Sequence, residues 1–231
     1  MFKFPRPTAF GQLRFGGRLG WARGAAGALF GVLVAAVLGR LLPQAQHWPW
    51  IVAPVGASAV LVFAVPASPL AQPWPVFGGN MVAALTGLVA GHVVGTPLLA
   101  AGLAVGLAIA AMTYARCLHP PGGACAILGA LAATAPGGGW MALLLPLGLN
   151  LIALVGAGWL YNNLTGHAWP HVPVQAPPMP TGTWAGTYET ADLDAVLEEW
   201  DEVLDVNRQD LDALFRAVER RVLRRWEDDL K

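Results

Sequence analysis

Residues 54 to 61 read Pro-Val-Gly-Ala-Ser-Ala-Val-Leu, and residues 121 to 128 read Pro-Gly-Gly-Ala-Cys-Ala-Ile-Leu. The two stretches form one short cassette that occurs twice, and Ser58 stands at the same place in the first copy as Cys125 does in the second. Matched apolar segments that are interrupted by Pro and Gly in two halves of a chain are typical of transporter binding sites. The cassettes therefore predict a duplicated membrane unit.

Composition supports the membrane assignment. The chain is 55% hydrophobic and 12% charged, and all 14 acidic residues lie between Glu189 and Asp229. A soluble domain carries about 25% charged residues. Cation carriers usually keep a carboxylate at mid-membrane, so a carboxylate-free membrane part favours an anion or a neutral solute. The alternative explanation is that carboxylates were avoided only because they are costly in lipid.

Six apolar segments predict an all-α polytopic membrane protein with three segments in each half. Full crossings need about 20 residues, so the two segments that carry the cassettes are short. If the cassette helices cross the membrane, the second half is inverted relative to the first; if they are re-entrant, the halves are parallel. The predicted segments are Gly24 to Leu42, Trp50 to Val65, Gly79 to Val94, Pro97 to Ala115, Gly123 to Ala135 and Trp140 to Tyr161.

Charge and proline distribution divide the chain into four parts. Residues 1–23 are a basic segment, 24–166 the transmembrane domain, 167–188 a Pro-rich linker and 189–231 a tail. Basic residues concentrate before the first span, which predicts that both the amino and carboxyl termini are cytoplasmic. We expect the protein to be integral to the cell membrane, the inner membrane in a bacterium, with the lipid bilayer as its first partner.

The tail predicts two amphipathic soluble helices. Apolar residues recur at helical spacing from Leu193 to Trp226, and Asn207 stands where an N-cap would start the second helix. Two short helices make a poor core by themselves. The tail is therefore expected to dock on the membrane domain or to join copies of the chain in a homo-oligomer, with a self-packed hairpin as the alternative.

Several motifs closely resemble the HPP family of integral membrane proteins over residues 20 to 171. They are His119-Pro120-Pro121-Gly122-Gly123-Ala124, Pro54-Val55-Gly56-Ala57-Ser58, Ser68-Pro69-Leu70-Ala71-Gln72-Pro73, Gly78-Gly79-Asn80, Tyr161-Asn162-Asn163 and Trp169-Pro170-His171. Plant and cyanobacterial members of that family are associated with nitrite transport, so the resemblance implies nitrite as the solute. The tail is too short and too helical for the CBS domains that some relatives carry.

Helix N-termini inside a membrane offer N–H groups and about half a positive charge each, which suits an anion. The sequence predicts a substrate site between the two cassettes, although small residues at helix crossings are also common packing elements. His119 is a candidate for proton transfer or gating, and the alternative is a structural hydrogen bond. His92 is a second candidate for the same role, and the alternative is that its side chain reaches the membrane interface. Gln72 and Asn80 can bind an anion or cap a helix. The predicted substrate-binding residues are Pro54, Gly56, Ser58, Gln72, Asn80, His119, Pro120, Pro121, Gly122, Gly123 and Cys125.

The remaining function classes find little support in the sequence. It contains no nucleophile elbow, phosphate loop or dinucleotide fingerprint, so no enzymatic activity is predicted. Cys117, His119 and Cys125 lack a recognised metal spacing, and no metal, cofactor or nucleic-acid partner is predicted. The sequence thus predicts transport of a small inorganic anion, nitrite first. The alternative is a non-transporting scaffold or sensor that self-associates through its tail.

Overall fold

The computed structural model describes residues 20–41, 51–135, 140–173, 188–199 and 205–229. The basic segment before residue 20, most of the Pro-rich linker and the tail residues Trp200, Val203 and Leu204 lie outside the described residues. Every regular element in the described ranges is helical, as the sequence predicted. The helices are α1 (Gly20–Arg40), α2 (Pro54–Ala64), α3 (Asn80–Val94), α4 (Pro97–Tyr114), α5 (Gly122–Thr134), α6 (Trp140–Leu164), α7 (Thr190–Glu199) and α8 (Arg208–Asp229).

Four helices in the described ranges are long and apolar enough to cross a membrane. They are α1, α4, α6 and the 20-residue helix formed by α3 together with the π-helical turn Pro75–Gly79 that precedes it. That turn makes the third span longer than the sequence predicted, because Pro75 rather than Gly79 begins it. α2 and α5 have 11 and 13 residues, or about 16 and 20 Å, against a hydrocarbon core of about 30 Å.

α2 runs parallel to α6. The backbone N–H of Val52 donates to Asn150 Oδ1 over 3.0 Å, and Asn162 Nδ2 donates to the carbonyl of Val62 over 3.0 Å. α1 runs antiparallel to both helices, because the same Asn150 donates to Ala35 near the end of α1 while Asn162 accepts from Arg23 near its start. Asn150 and Asn162 therefore tie three helices together at two depths.

α3 and α5 also run parallel to each other, and they are in close contact. A Cβ atom at Gly87 would lie 2.0 Å from the carbonyl oxygen of Ala126, and one at Gly129 would lie 2.4 Å from that of Ala84. Only glycine permits this backbone approach. Small residues thus allow close contact between these two helices.

The directions of the described helices show that the cassette helices run through the bundle rather than turning back. Trp169, which follows α6, donates its indole N–H to Ala71, which precedes α3, so α6 ends at the face where α3 begins. α2 therefore runs opposite to α3 and α5, and consecutive helices from α1 to α6 alternate in direction. This is the crossing arrangement of the two that the sequence allowed. Internal duplication and the cytoplasmic side of the membrane stay predictions.

The tail forms a helical hairpin that also touches the membrane domain. Tyr188 packs on Phe215 with ring centroids 5.6 Å apart, and its hydroxyl donates to Asp212 over 2.8 Å. Asn207 Oδ1 accepts from the N–H of Gln209, which confirms the predicted N-cap. Asp205 accepts from Ser68 of the bundle. Self-packing and docking, which the sequence left as alternatives, thus occur together.

Candidate functional site

Four buried polar side chains meet inside the apolar bundle. Ser58 comes from α2, Asn80 from the start of α3, His119 from the α4–α5 connection and Cys125 from α5, and each has 0% exposure. We call these four residues the central cluster. Polar groups at this depth of a membrane protein are costly unless they are bonded, and they usually mark functional sites.

Hydrogen bonds link the central cluster into one chain. Ser58 Oγ lies 2.9 Å from His119 Nε2 and 3.0 Å from Asn80 Nδ2. Cys125 Sγ donates to Asn80 Oδ1 over 3.1 Å, and His119 Nδ1 lies 2.8 Å from the carbonyl oxygen of Leu70. Asn80 Nδ2 also donates to the carbonyl of Val76.

The partners fix the direction of every proton in this chain. A carbonyl oxygen only accepts, so His119 carries its hydrogen on Nδ1, and a neutral imidazole then accepts at Nε2. The hydroxyl of Ser58 consequently donates to His119, while the amide of Asn80 donates to Ser58. All four side chains are satisfied by protein groups, and a small polar ligand would have to exchange with one of these bonds.

The two cassettes meet at Asn80. Ser58 lies four residues after Pro54, where α2 begins, and Cys125 lies three residues after Gly122, where α5 begins. Because α2 and α5 run in opposite directions, their first turns overlap at the depth of the Asn80 amide. The equivalent cassette residues thus contact the two ends of one amide group, and the positive ends of both helix dipoles lie near it.

The first-turn N–H groups themselves are not open, which differs from the sequence-based expectation. In α2, the N–H groups of Val55 and Gly56 donate to carbonyls of Val52 and Ala53. In α5, the N–H groups of Gly122, Gly123 and Ala124 donate to His119, Pro120 and Pro121. The turn before each helix supplies acceptors for the donors that an abrupt helix start would leave unpaired.

The other predicted substrate-binding residues surround the central cluster unevenly. Pro54, Pro121 and Gly122 are buried beside it, whereas Gly56 and Pro120 face outward and Gly123 is half-buried with open space around its Cα. A Cβ at Gly122 would lie 2.9 Å from Met112 Sδ and 3.2 Å from the Gly79 carbonyl. Gly122 is thus a packing position in this arrangement.

Two of the predicted residues lie away from the central cluster. His92 is exposed near the end of α3. Gln72 donates to the carbonyls of Pro66 and Ser68 and accepts from the N–H of His171. Gln72 therefore acts indirectly, since it braces the short turn that carries the Leu70 carbonyl.

Sequence reasoning missed Leu70, whose carbonyl orients His119, and Trp169, which fixes the same turn. Trp169 is 1% exposed, and its indole donates to the adjacent Ala71 carbonyl over 3.2 Å. Backbone acceptors leave no trace in a side-chain pattern. The one available signal was the pair of motifs Ser68 to Pro73 and Trp169 to His171, which the structure brings together.

Similarity to known proteins identifies the family of this chain. Residues 16–170 match the transmembrane region of the HPP family. Two transmembrane proteins of Dictyostelium discoideum are similar: one is 31% identical over 140 residues, covering 59% of this chain and 45% of the relative, and another is 36% identical over 106 residues, covering 42% and 36%. The chain thus spans less than half the length of these curated relatives. No solved structure matches it. The chain belongs to the HPP family of integral membrane proteins.

Proposed function

We propose that the protein moves a small inorganic anion across the membrane, with nitrite the leading solute. The observation that carries the proposal is the convergence of Ser58, Asn80, His119 and Cys125 where the first turns of α2 and α5 overlap. The hydroxyl, amide and thiol are hydrogen-bond donors, which an anion requires. The dipoles of α2 and α5 also direct their positive ends toward this place.

The charge distribution supports the same solute class. Residues 1–188 contain neither Asp nor Glu, so the membrane part offers no carboxylate to hold a cation. A desolvated anion would instead find neutral donors and two positive dipole ends. Such a site favours a monovalent anion because a second negative charge would greatly increase the cost of leaving water.

In this structure the central cluster has the arrangement that a closed gate would have. Its donors are directed at one another, and none of the four side chains is exposed. Passage of an anion requires the Asn80 amide or the Ser58 hydroxyl to exchange its internal partner for the solute. His119 then acts as the positioning residue, because its Nε2 and the Leu70 carbonyl determine where the Ser58 hydroxyl points.

Anion flux into liposomes tests the proposal. Purified protein is reconstituted, and uptake of nitrite, nitrate, formate and chloride is measured at two pH values for the wild type, Ser58→Ala and His119→Ala. Thr113→Val is the matched control, because its exposed hydroxyl bonds only to its own helix at Ile109. Saturable nitrite uptake that falls at least about tenfold in the cluster variants, equivalent to about 1.4 kcal/mol, supports transport.

Absence of flux for all four anions, from a protein that is folded and correctly inserted, contradicts the proposal. Equal flux in the wild type and both cluster variants would remove the central cluster from the path.

A scaffold or sensor role is the second candidate, and one observation favours it. Leu214 and Val218 are 58% and 53% exposed on α8, which is not among the candidate membrane spans. Apolar side chains exposed on an amphipathic helix suit association with another copy of the chain. Self-association that is lost in Leu214→Glu, together with absence of flux for every anion, would favour this role.

A further inference from the structure

A recess of about 380 Å³ lies where the tail meets the membrane bundle. The bundle side supplies the start of α1, the turn after α2 and the segment after α6. The tail covers the other side with the stretch that leads into α8. The polar residues that line the recess are Arg23, Ser68 and His167 from the bundle, and Asp205, Asn207 and Asp210 from the tail.

The bundle side of the recess is suited to an anion. In the described part of the chain, the guanidinium of Arg23 donates to Asn162 Oδ1, Thr165 Oγ1 and the Phe63 carbonyl. All three acceptors are uncharged, so these bonds hold the side chain in place without neutralising it. Ser68, 6% exposed, adds a hydroxyl donor to the same wall.

A carboxylate of the tail is already bound at this side of the recess. Ser68 Oγ donates to Asp205 Oδ1 over 2.6 Å. A carboxylate is a bent group in which two oxygens share one negative charge, as they do in nitrite and formate. The structure therefore contains a tethered analogue of such an oxyanion on the hydroxyl of Ser68.

We propose that the recess is an anion-binding vestibule for monovalent bent oxyanions and that Asp205 occupies it as a tethered competitor. The transport role of this vestibule rests on the proposed function above. With the tail docked, the carboxylate of Asp205 closes the vestibule. With the tail released, Arg23, Ser68 and His167 receive the free anion.

The vestibule connects directly to the central cluster. Ser68 Oγ also accepts from the backbone N–H of Leu70 over 3.1 Å, and the carbonyl of Leu70 holds His119 Nδ1. One residue thus separates the hydroxyl that binds Asp205 from the acceptor that orients His119. A change of occupant at Ser68 reaches the gate through this turn.

Contacts within the tail allow its two helices to separate from the bundle together. Its two helices are joined by their own contacts, including Arg216 with Thr190 and Arg208 with Asp194. Its hydrogen bonds with the bundle include Asp205 with Ser68, and Asp210 with His171, a pair whose side chains are 22% and 17% exposed. Partly exposed polar contacts are weak enough to exchange with a competing solute.

Hydrogen–deuterium exchange of the full chain in nanodiscs tests the inference without relying on transport. Exchange of residues 205–212 is compared in the wild type, Asp205→Asn and the control Glu198→Gln, which removes the same charge at an exposed position of α7 outside the recess. Each protein is measured in nitrite, formate and chloride at equal ionic strength.

We expect Asp205→Asn to speed exchange of 205–212 at least about threefold, with Glu198→Gln unchanged. Nitrite and formate should speed exchange in the wild type more than chloride does, and this response should disappear in Asp205→Asn, because competition follows mass action. Unchanged exchange in Asp205→Asn, or equal effects of the three anions, would overturn the inference.

Flux measured in parallel separates the two proposals. Faster nitrite uptake in Asp205→Asn than in the wild type supports both. Displacement of the tail by nitrite without flux in any protein would retain the vestibule and reject transport. Flux without displacement would retain transport and reject the tethered competitor.

Discussion

Ser58 Oγ and His119 Nε2 lie 2.9 Å apart, although 61 positions separate the two residues in the chain. Ser58 belongs to the first cassette and His119 lies two residues before the second, so this bond connects the first cassette to the turn that leads into the second. His119 donates to the Leu70 carbonyl, Ser58 donates to His119, and Asn80 donates to Ser58. The bond is therefore part of a network in which every polar side chain has a partner.

Removal of the Ser58 hydroxyl should destabilise the fold. Ser58→Ala leaves His119 Nε2 without its donor, while Asn80 Nδ2 keeps the Val76 carbonyl. An unsatisfied buried polar atom costs about 1–3 kcal/mol. Thermal unfolding in detergent should show a lower Tm for Ser58→Ala and little change for Thr113→Val, and equal Tm values would contradict the network described here.

Close contact between α3 and α5 should make Gly87 sensitive to a single methyl group. Gly87→Ala would bring Cβ to 2.0 Å from the Ala126 carbonyl, so the helices must separate. Overpacking of this kind costs about 1–3 kcal/mol or more. The matched control is Gly102→Ala on α4, where no atom lies within 4 Å of the added Cβ.

Gly102→Ala should be neutral, or stabilising by about 0.5–1 kcal/mol through its helix preference. Tm values of the two variants in the same detergent give the comparison. A Gly87→Ala protein as stable as the control would show that α3 and α5 are further apart than described.

Accessibility of Cys125 should report opening of the central cluster. Cys117 and Cys125 are both buried, so Cys117→Ser provides a background with one remaining thiol. We expect slow modification of Cys125 by a membrane-permeant maleimide in this background and faster modification after Asn80→Ala, because that change removes the oxygen that Sγ contacts. Rapid labelling of Cys125 in the background protein would show that the cluster is open at rest.

Acid should loosen the tail hairpin. The hydroxyl of Tyr188 donates to Asp212, and with Arg216 and Thr190 it holds the pKa of this carboxyl below its ordinary value. A lowered folded-state pKa gives stability that is present above the unfolded-state pKa, about 3.9, and lost as pH falls through the folded-state pKa. Asp194, whose pKa Arg208 lowers, acts with the same sign.

Protection factors for α7 and α8, measured by hydrogen exchange across pH 3 to 6, check this expectation. They should fall toward the acid end in the wild type and fall less in Asp212→Asn, which retains only the contribution of Asp194. A hairpin whose protection rises with acid would reverse the assigned sign.

The six apolar helices could be predicted from the sequence because apolar runs and their Pro, Gly and Trp boundaries are local signals. Their observed ends lie within about four residues of the predicted ones. The main difference is at Pro75, where a π-helical turn extends the third helix. Whether α2 and α5 cross the bundle was undetermined, since both are too short to decide by length alone.

The candidate site was predicted in part. The cassettes identified Ser58 and Cys125, and two other motifs identified His119 and Asn80, all of which meet in the central cluster. Gln72 and His92 are equally polar, yet they lie outside it. A side chain's type indicates what it can bond to, whereas the bond it makes depends on which face of its helix meets a neighbour.

The sequence by itself determined that this is a helical membrane protein of the HPP family with a carboxylate-free membrane part, because composition, hydropathy and ordered motifs do not depend on packing. Only the tertiary structure decided that α2 opposes α5, that Asn80 joins the two cassettes and that Asp205 rests on Ser68. Each of these relationships connects residues far apart in the chain, and their partners are selected by helix direction and depth, which local patterns do not encode.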